Sequence, residues 1–135
     1  MTIVVGYVPT REGRAALRRA AQECVLRGSD LLVVSSVRAG KPFDAEASAQ
    51  FDAELESLGA QLDASGLRHE VRKRTASGDA AEDLIEAADE ISAEAIVIGL
   101  RRRTPVGKLI LGSNAQKILL DASCPVLAVK AGLDE

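Results

Sequence analysis

The chain has 135 residues, of which 47% are hydrophobic, and this is enough for one domain with a buried core over residues 1–135. Its net charge of −3 and its aromatic content of 2% argue against a nucleic-acid partner, because such proteins need basic surfaces and stacking side chains. The sequence contains neither a signal-peptide pattern nor an apolar run long enough to cross a bilayer, so we expect a cytoplasmic protein without a membrane partner.

Apolar runs of strand length alternate with segments of helical period, and this alternation predicts five strands of a mostly parallel sheet. The strands are expected at Thr2 to Tyr7, Asp30 to Val37, Leu67 to Arg74, Ala95 to Gly99 and Pro125 to Lys130. The first, second and fourth are almost continuously apolar, as in central strands covered on both faces. The third alternates charged with less polar residues, which indicates an edge strand.

Four helices are expected between these strands. They run from Thr10 to Arg27, from Asp44 to Ala64, from Asp79 to Ile91, and onward from Gly112-Ser113. Thr10 is suited to cap the first helix, and Gly28 and Gly66 are suited to end the first two. Cys24 and Cys124 are far apart and lack the spacing of a metal site, so we expect both to be reduced thiols in or near the core.

Right-handed crossovers favour a doubly wound α/β fold with strand order 3-2-1-4-5. Ligands of such sheets bind at the carboxyl ends of the strands where the winding reverses, here between strands one and four. The segments at that point are Tyr7 to Arg11 and Gly99 to Ser113.

The second of these segments has the composition of a phosphate-binding loop, but it lacks the best-known motifs. A P-loop needs glycine five residues before Gly107-Lys108 and Ser or Thr after the lysine, and the chain has Arg102 and Leu109 there. Gly6 to Gly13 likewise lacks the dinucleotide-binding glycines. Two interpretations remain for Gly112-Ser113-Asn114, an anion site flanked by Arg101, Arg102, Arg103 and Lys108, or a helix cap beside solvated basic side chains.

Several spaced elements together resemble the universal stress protein family. They are Gly99-x2-Arg102-x9-Gly112-Ser113, the following Cys124-Pro-Val-Leu-Ala-Val129, the opening Ile3-Val-Val-Gly-Tyr7, the Gly78 loop and Ala95-Ile-Val-Ile-Gly99. The resemblance covers essentially the whole chain. It implies an adenine nucleotide alpha hydrolase-like fold, a homodimer and, in one branch of the family, binding of ATP with Mg, or of AMP, at this loop.

The resemblance also implies a set of site residues, with two departures from the family pattern. Gly99, Gly112 and Ser113 match, whereas Arg102 replaces a glycine and Val8 replaces an acidic residue. Val37 matches a position that meets the adenine. The candidate site therefore comprises Val8, Pro9, Thr10, Val37, Gly99, Arg101, Arg102, Arg103, Gly112, Ser113 and Asn114.

The alternative function is a dimeric stress-response interaction protein that binds no nucleotide, as in the other branch of the family. In both cases the expected contact is the edge strand Pro125 to Lys130, which can pair with its copy about a two-fold axis. Enzymatic activity is expected to be at most slow ATP hydrolysis, because no carboxylate lies between Gly99 and Ser113. We expect no catalytic residue and no protein metal site.

Overall fold

The computed structural model describes residues 1–8, 10–38, 45–76, 80–100 and 112–131, of which 36–38, 45–52, 55 and 73–76 are described by their backbone alone. The strands are β1 (Thr2–Tyr7), β2 (Asp30–Arg38), β3 (His69–Ala76), β4 (Ala95–Leu100) and β5 (Val126–Lys130). The helices are α1 (Arg11–Arg27), α2 (Ala45–Ala64), α3 (Ala80–Glu90) and α4 (Ser113–Asp121).

The five strands form one parallel sheet in the order β3-β2-β1-β4-β5. This confirms the predicted topology. β1 is central, because Ile3 pairs with Leu31 of β2 on one side and with Ala95 of β4 on the other. β3 and β5 are the two edges.

β2, β3 and β4 end one or two residues later than predicted, and two strands start later than predicted for local reasons. β3 begins at His69 instead of Leu67 because residues 65 and 66 form a turn after α2 and pairing with β2 starts only where His69 meets Leu31. β5 begins at Val126 because Pro125 has no N–H to donate, although its carbonyl accepts a hydrogen bond from Ile96 N at 2.9 Å.

Each face of the sheet has its own hydrophobic core. On one face, β1 and β2 side chains pack against α1 and α2, and the buried set includes Ile3, Val5, Leu31, Val33, Leu17, Ala20 and Leu62. On the other face, α3 and α4 cover the sheet, and the buried set includes Val4, Leu32, Val34, Ile96, Ile98, Leu84, Ala88 and Ile118. Burial on both faces explains why the central strands are continuously apolar.

The ends of α1 confirm the predicted capping. Thr10 Oγ1 accepts a hydrogen bond from Gly13 N at 3.1 Å, which satisfies one of the first N–H groups of the helix. Gly28 closes the helix with a φ of 67°, a conformation that glycine adopts without a steric cost. The first turn of α1 is therefore held firmly beside the end of β1.

Cys24 is buried, Cys124 is half-buried, and both are free thiols, as predicted. Among the residues that the structure describes, no helix is long and apolar enough to span a bilayer.

Candidate functional site

A cavity of about 220 Å³ lies at the carboxyl ends of β1 and β4. This is the point where the sheet's winding reverses, and therefore the place where a ligand is expected in a fold of this kind. The described residues that line it are Gly6, Tyr7, Val8, Glu12, Val34, Ala80, Ala81, Leu84, Ile98, Gly99, Asn114, Ala115 and Ile118.

The walls of the cavity are mainly apolar. Leu84 of α3, Ile98 of β4 and Ile118 of α4 are each 5% exposed and also belong to the core on that face. Gly6 packs closely against Leu84, because a Cβ there would lie 2.9 Å from Leu84 Cδ2. Such a surface suits a flat hydrophobic group such as an aromatic base.

Gly99 is a point of close approach between the sheet and α1. A Cβ on Gly99 would lie 2.2 Å from the Glu12 carbonyl oxygen and 2.9 Å from Glu12 Cβ. No side chain fits in this space. Gly99 therefore has a packing role, independent of any ligand, that fixes Glu12 at the cavity wall.

Helix α4 begins beside the cavity. Gly112 is its N-cap in an extended conformation and has no side chain to cap the helix. The first backbone N–H groups of a helix have no partner within it, and they carry the positive end of its dipole. Asn114 and Ala115, in the first turn, line the cavity, so this end of α4 can attract an anion held there.

Few of the described residues that line the cavity are charged. Glu12 is the only charged residue among its described lining residues, and Asn114 of α4 is a polar one. The cavity is thus bordered by Glu12 in the first turn of α1 and by the N-terminus of α4. No group of three His, Cys, Asp or Glu side chains within the described ranges is arranged to hold a metal ion.

Tyr7 connects the cavity to helix α2. Its side chain is 1% exposed, and its hydroxyl donates a hydrogen bond to Glu54 Oε1 at 2.5 Å. Arg14 Nη1 lies 3.5 Å from the same oxygen. Burial first, and then the hydrogen bond to Glu54, raise the pKa of Tyr7 above its ordinary value. The phenol is therefore neutral and acts as a donor that joins β1 to α2.

The structure brings three of the predicted site residues together at the cavity, namely Val8, Gly99 and Asn114. Thr10 instead caps α1, Gly112 caps α4, and Ser113 is exposed at the first position of α4. Val37 lies in β2, where its backbone pairs with Thr75. Pro9, Lys108 and the arginines Arg101, Arg102 and Arg103 lie outside the described residues.

Sequence reasoning did not identify the wall formed by α3 or the position of Glu12. Ala81 and Leu84 have the spacing of a buried helical stripe, and that pattern alone indicates core. The signal that could have identified them is the strand order, which places α3 on a face of the sheet next to the point where its winding reverses. For Glu12, the signal is its position two residues after the Thr10 cap.

Known proteins match this chain along almost its whole length. The family model described as "Universal stress protein family" matches residues 1–130. A universal stress protein of Mycolicibacterium smegmatis is 45% identical over 95% of this chain and 96% of its own. A universal stress protein structure from Archaeoglobus fulgidus has a TM-score of 0.80 and 34% identity, covering 96% of this chain and 98% of that one. Another structure from that organism, solved in complex with dAMP, has a TM-score of 0.74, 30% identity and the same coverage.

Proposed function

The chain belongs to the universal stress protein family, and on that premise we propose that the cavity beside Gly99 binds an adenine nucleotide. The observation that carries the proposal is the cavity itself, which combines apolar walls with the N-terminus of α4. The Archaeoglobus fulgidus relative in complex with dAMP supports the choice of nucleotide.

In this proposal the two ends of the ligand meet different surfaces. The base occupies the apolar space between Leu84 and Ile98, and the phosphate lies at the first turn of α4. The Ser113 hydroxyl and the arginines Arg101, Arg102 and Arg103 supply further donors to the phosphate. If ATP binds, it brings Mg²⁺ on its own phosphates, because that ion keeps several waters and needs few protein ligands.

The test is calorimetric titration of AMP, and of ATP with and without Mg²⁺, into the protein purified without added nucleotide. Ala115→Leu fills the cavity from α4, so it should weaken binding by at least about tenfold. Gln116→Leu is the matched control, because Gln116 is exposed on the same helix and does not line the cavity. Its affinity should equal that of the unmodified protein.

Two results would count against the proposal. The first is the absence of heat and of a Tm shift for every nucleotide at millimolar concentration. The second is equal binding by Ala115→Leu and the unmodified protein, with circular dichroism showing both to be folded. Binding lost equally in Gln116→Leu would indicate general damage to α4 rather than a filled cavity.

We further propose that two copies of the chain pair through β5, with or without a nucleotide. The support is that β5 is an edge strand whose Leu127 side chain is 36% exposed, and edge strands with apolar side chains readily pair. Leu127→Lys should shift sedimentation toward a monomer. Leu26→Lys, which changes a leucine 77% exposed on α1, should leave the dimer intact. A monomer for the unmodified protein at micromolar concentration would rule the dimer out.

The second candidate function is that of a stress-response interaction protein, which forms this dimer and binds no nucleotide. The exposed edge of β5 is the observation that favours it. An intact dimer together with failure of every nucleotide titration would select it over the first.

A further inference from the structure

We propose that the ion pair between Glu82 of α3 and Lys117 of α4 limits the width of the cavity and so selects the base of the ligand by its size. Lys117 Nζ donates a hydrogen bond to Glu82 Oε1 at 2.6 Å. Both are positioning residues, because neither of them lines the cavity. The inference rests on the proposed nucleotide binding and adds what restricts the ligand.

Helices α3 and α4 supply two walls of the cavity. Each helix contributes three lining residues from its first two turns, and these are Ala80, Ala81, Leu84, Asn114, Ala115 and Ile118. Three of the six are alanines, whose methyl groups extend only a short way from the helix. The separation of the two helices beside the ligand therefore depends partly on contacts made by neighbouring residues.

The ion pair connects the two helices next to these walls. Glu82 follows Ala81 in the first turn of α3, and Lys117 directly precedes Ile118 in α4. The two charged residues also line a groove between the helices on the outer surface of the protein. The pair thus joins the outer sides of the two walls at the ends of the helices that border the cavity.

The same two helices are joined a second time, away from the cavity. Ser123 Oγ donates a hydrogen bond to Asp89 Oδ1. Asp89 lies about two turns after Glu82 in α3, and Ser123 follows the end of α4. Neither Asp89 nor Ser123 lines the cavity. Loss of this second contact should loosen the far ends of the helices, whereas loss of the ion pair should loosen the ends beside the ligand.

The exposure of the ion pair determines the size of the expected effect. The side chains of Lys117 and Glu82 are 32% and 63% exposed, so water and salt screen their attraction. Exposed pairs of this kind change an equilibrium by up to about fivefold. The cavity measures about 220 Å³, so a base larger than adenine has to move a wall outward. The ion pair opposes that movement.

The experiment compares AMP with N6-benzyl-AMP, whose base is larger, by calorimetry in the unmodified protein and in Glu82→Gln. The two ligands carry the same charge, so the ratio of their affinities does not respond to the charge that the variant loses. The preference for AMP should fall by about two- to fivefold in Glu82→Gln. High salt should lower the preference of the unmodified protein in the same way, because salt screens an exposed pair. Glu82 is the residue to change, because Lys117 has a further interaction within the protein.

Two variants serve as matched controls. Ser123→Ala removes the second contact between the same helices. Glu86→Gln removes a charge of the same kind from an exposed position on α3. Neither Ser123 nor Glu86 lines the cavity, so both variants should keep the preference of the unmodified protein.

The outcomes separate this inference from the proposed function. If the unmodified protein binds neither ligand, nucleotide binding and the role of the ion pair fail together. If it binds AMP, nucleotide binding stands, and any of four results overturns the role of the pair. These are equal affinity of the unmodified protein for both ligands, a preference that salt does not change, an unchanged preference in Glu82→Gln shown to be folded by circular dichroism, and an equal loss of preference in either control.

Discussion

The Tyr7 hydroxyl donates a hydrogen bond to Glu54 Oε1 at 2.5 Å, although the two residues are 47 positions apart in the chain. This contact joins the end of the central strand to α2. Tyr7→Phe should lower the free energy of unfolding by about 1–2 kcal/mol, because it removes a buried donor to a carboxylate that is partly exposed. Urea unfolding would measure this. A loss of about 3 kcal/mol or more, which is typical of truncating a buried aromatic side chain to alanine, would contradict it.

The same tyrosine predicts a loss of stability at alkaline pH. Burial and Glu54 raise the pKa of Tyr7 above its unfolded value of 10.0, so the folded state holds the proton more tightly. The stability this contributes is fully present below about pH 10 and declines as pH rises above it. Ultraviolet absorbance of the phenolate would follow the only tyrosine in the chain. Ionisation near pH 10 without unfolding would disprove the prediction.

The thiol of Cys24 should be unreactive in the native protein. Burial mainly, and then the negative charge of Glu94, raise its pKa to about 11, and its Sγ donates to the Asp30 carbonyl at 3.4 Å. Reaction with a chromogenic disulfide at neutral pH should therefore be slow until the protein is denatured. Cys24→Ala gives the control, since its single remaining thiol reports Cys124 alone. Rapid labelling of two thiols in the folded protein would contradict this.

Two glycines near the cavity should not tolerate alanine. A Cβ on Gly13 would lie 1.8 Å from the Val8 carbonyl oxygen, and one on Gly99 would lie 2.2 Å from that of Glu12. Either change should destabilise the fold by more than about 3 kcal/mol, since backbone atoms must move. Gly59→Ala in α2 is the matched control. It meets nothing within 4 Å and should raise helix stability by about 0.5–1 kcal/mol.

Glu94 should contribute to stability in a pH-dependent way. Ser29 Oγ donates to Glu94 Oε2 at 2.6 Å, Arg27 Nη1 donates to Oε1 at 3.0 Å, and the two hydrogen bonds in that order lower the pKa of Glu94. The stabilisation from Glu94 is present above the pKa that Glu94 has in the unfolded chain. It is lost as the pH falls through the lower pKa that Glu94 has in the folded protein. Glu94→Gln should therefore be less stable at neutral pH and lose less stability on acidification. Parallel pH profiles for the two proteins would refute this.

The fold could be predicted because the patterns that set it are local. The apolar run from Ile96 to Ile98 is continuous because α1 covers one side of β4, while α3 and α4 cover the other side. In the same way, Thr10 and Gly28 mark the two ends of α1 in the sequence itself. The strand order followed from the handedness of the crossovers.

The candidate site was only partly predictable, because its shape depends on distances between elements that are remote in the chain. Gly99 could be identified from spacing, but its contact with Glu12 depends on how closely α1 lies against β4. Leu84 has the same spacing whether it fills a core or borders a cavity. How closely the helices pack on the sheet decides between these two roles of Leu84, and a single sequence does not show that packing.

The pairing of Ile3 with Ala95 has a consequence for how the protein is made. β1 is synthesised before β4, so the edge of β1 that faces β4 has no partner until residues 95–100 have been made. The cavity lies at the carboxyl ends of β1 and β4, so it forms only when these two strands pair. A nucleotide bound there would therefore stabilise the completed protein and not its nascent forms.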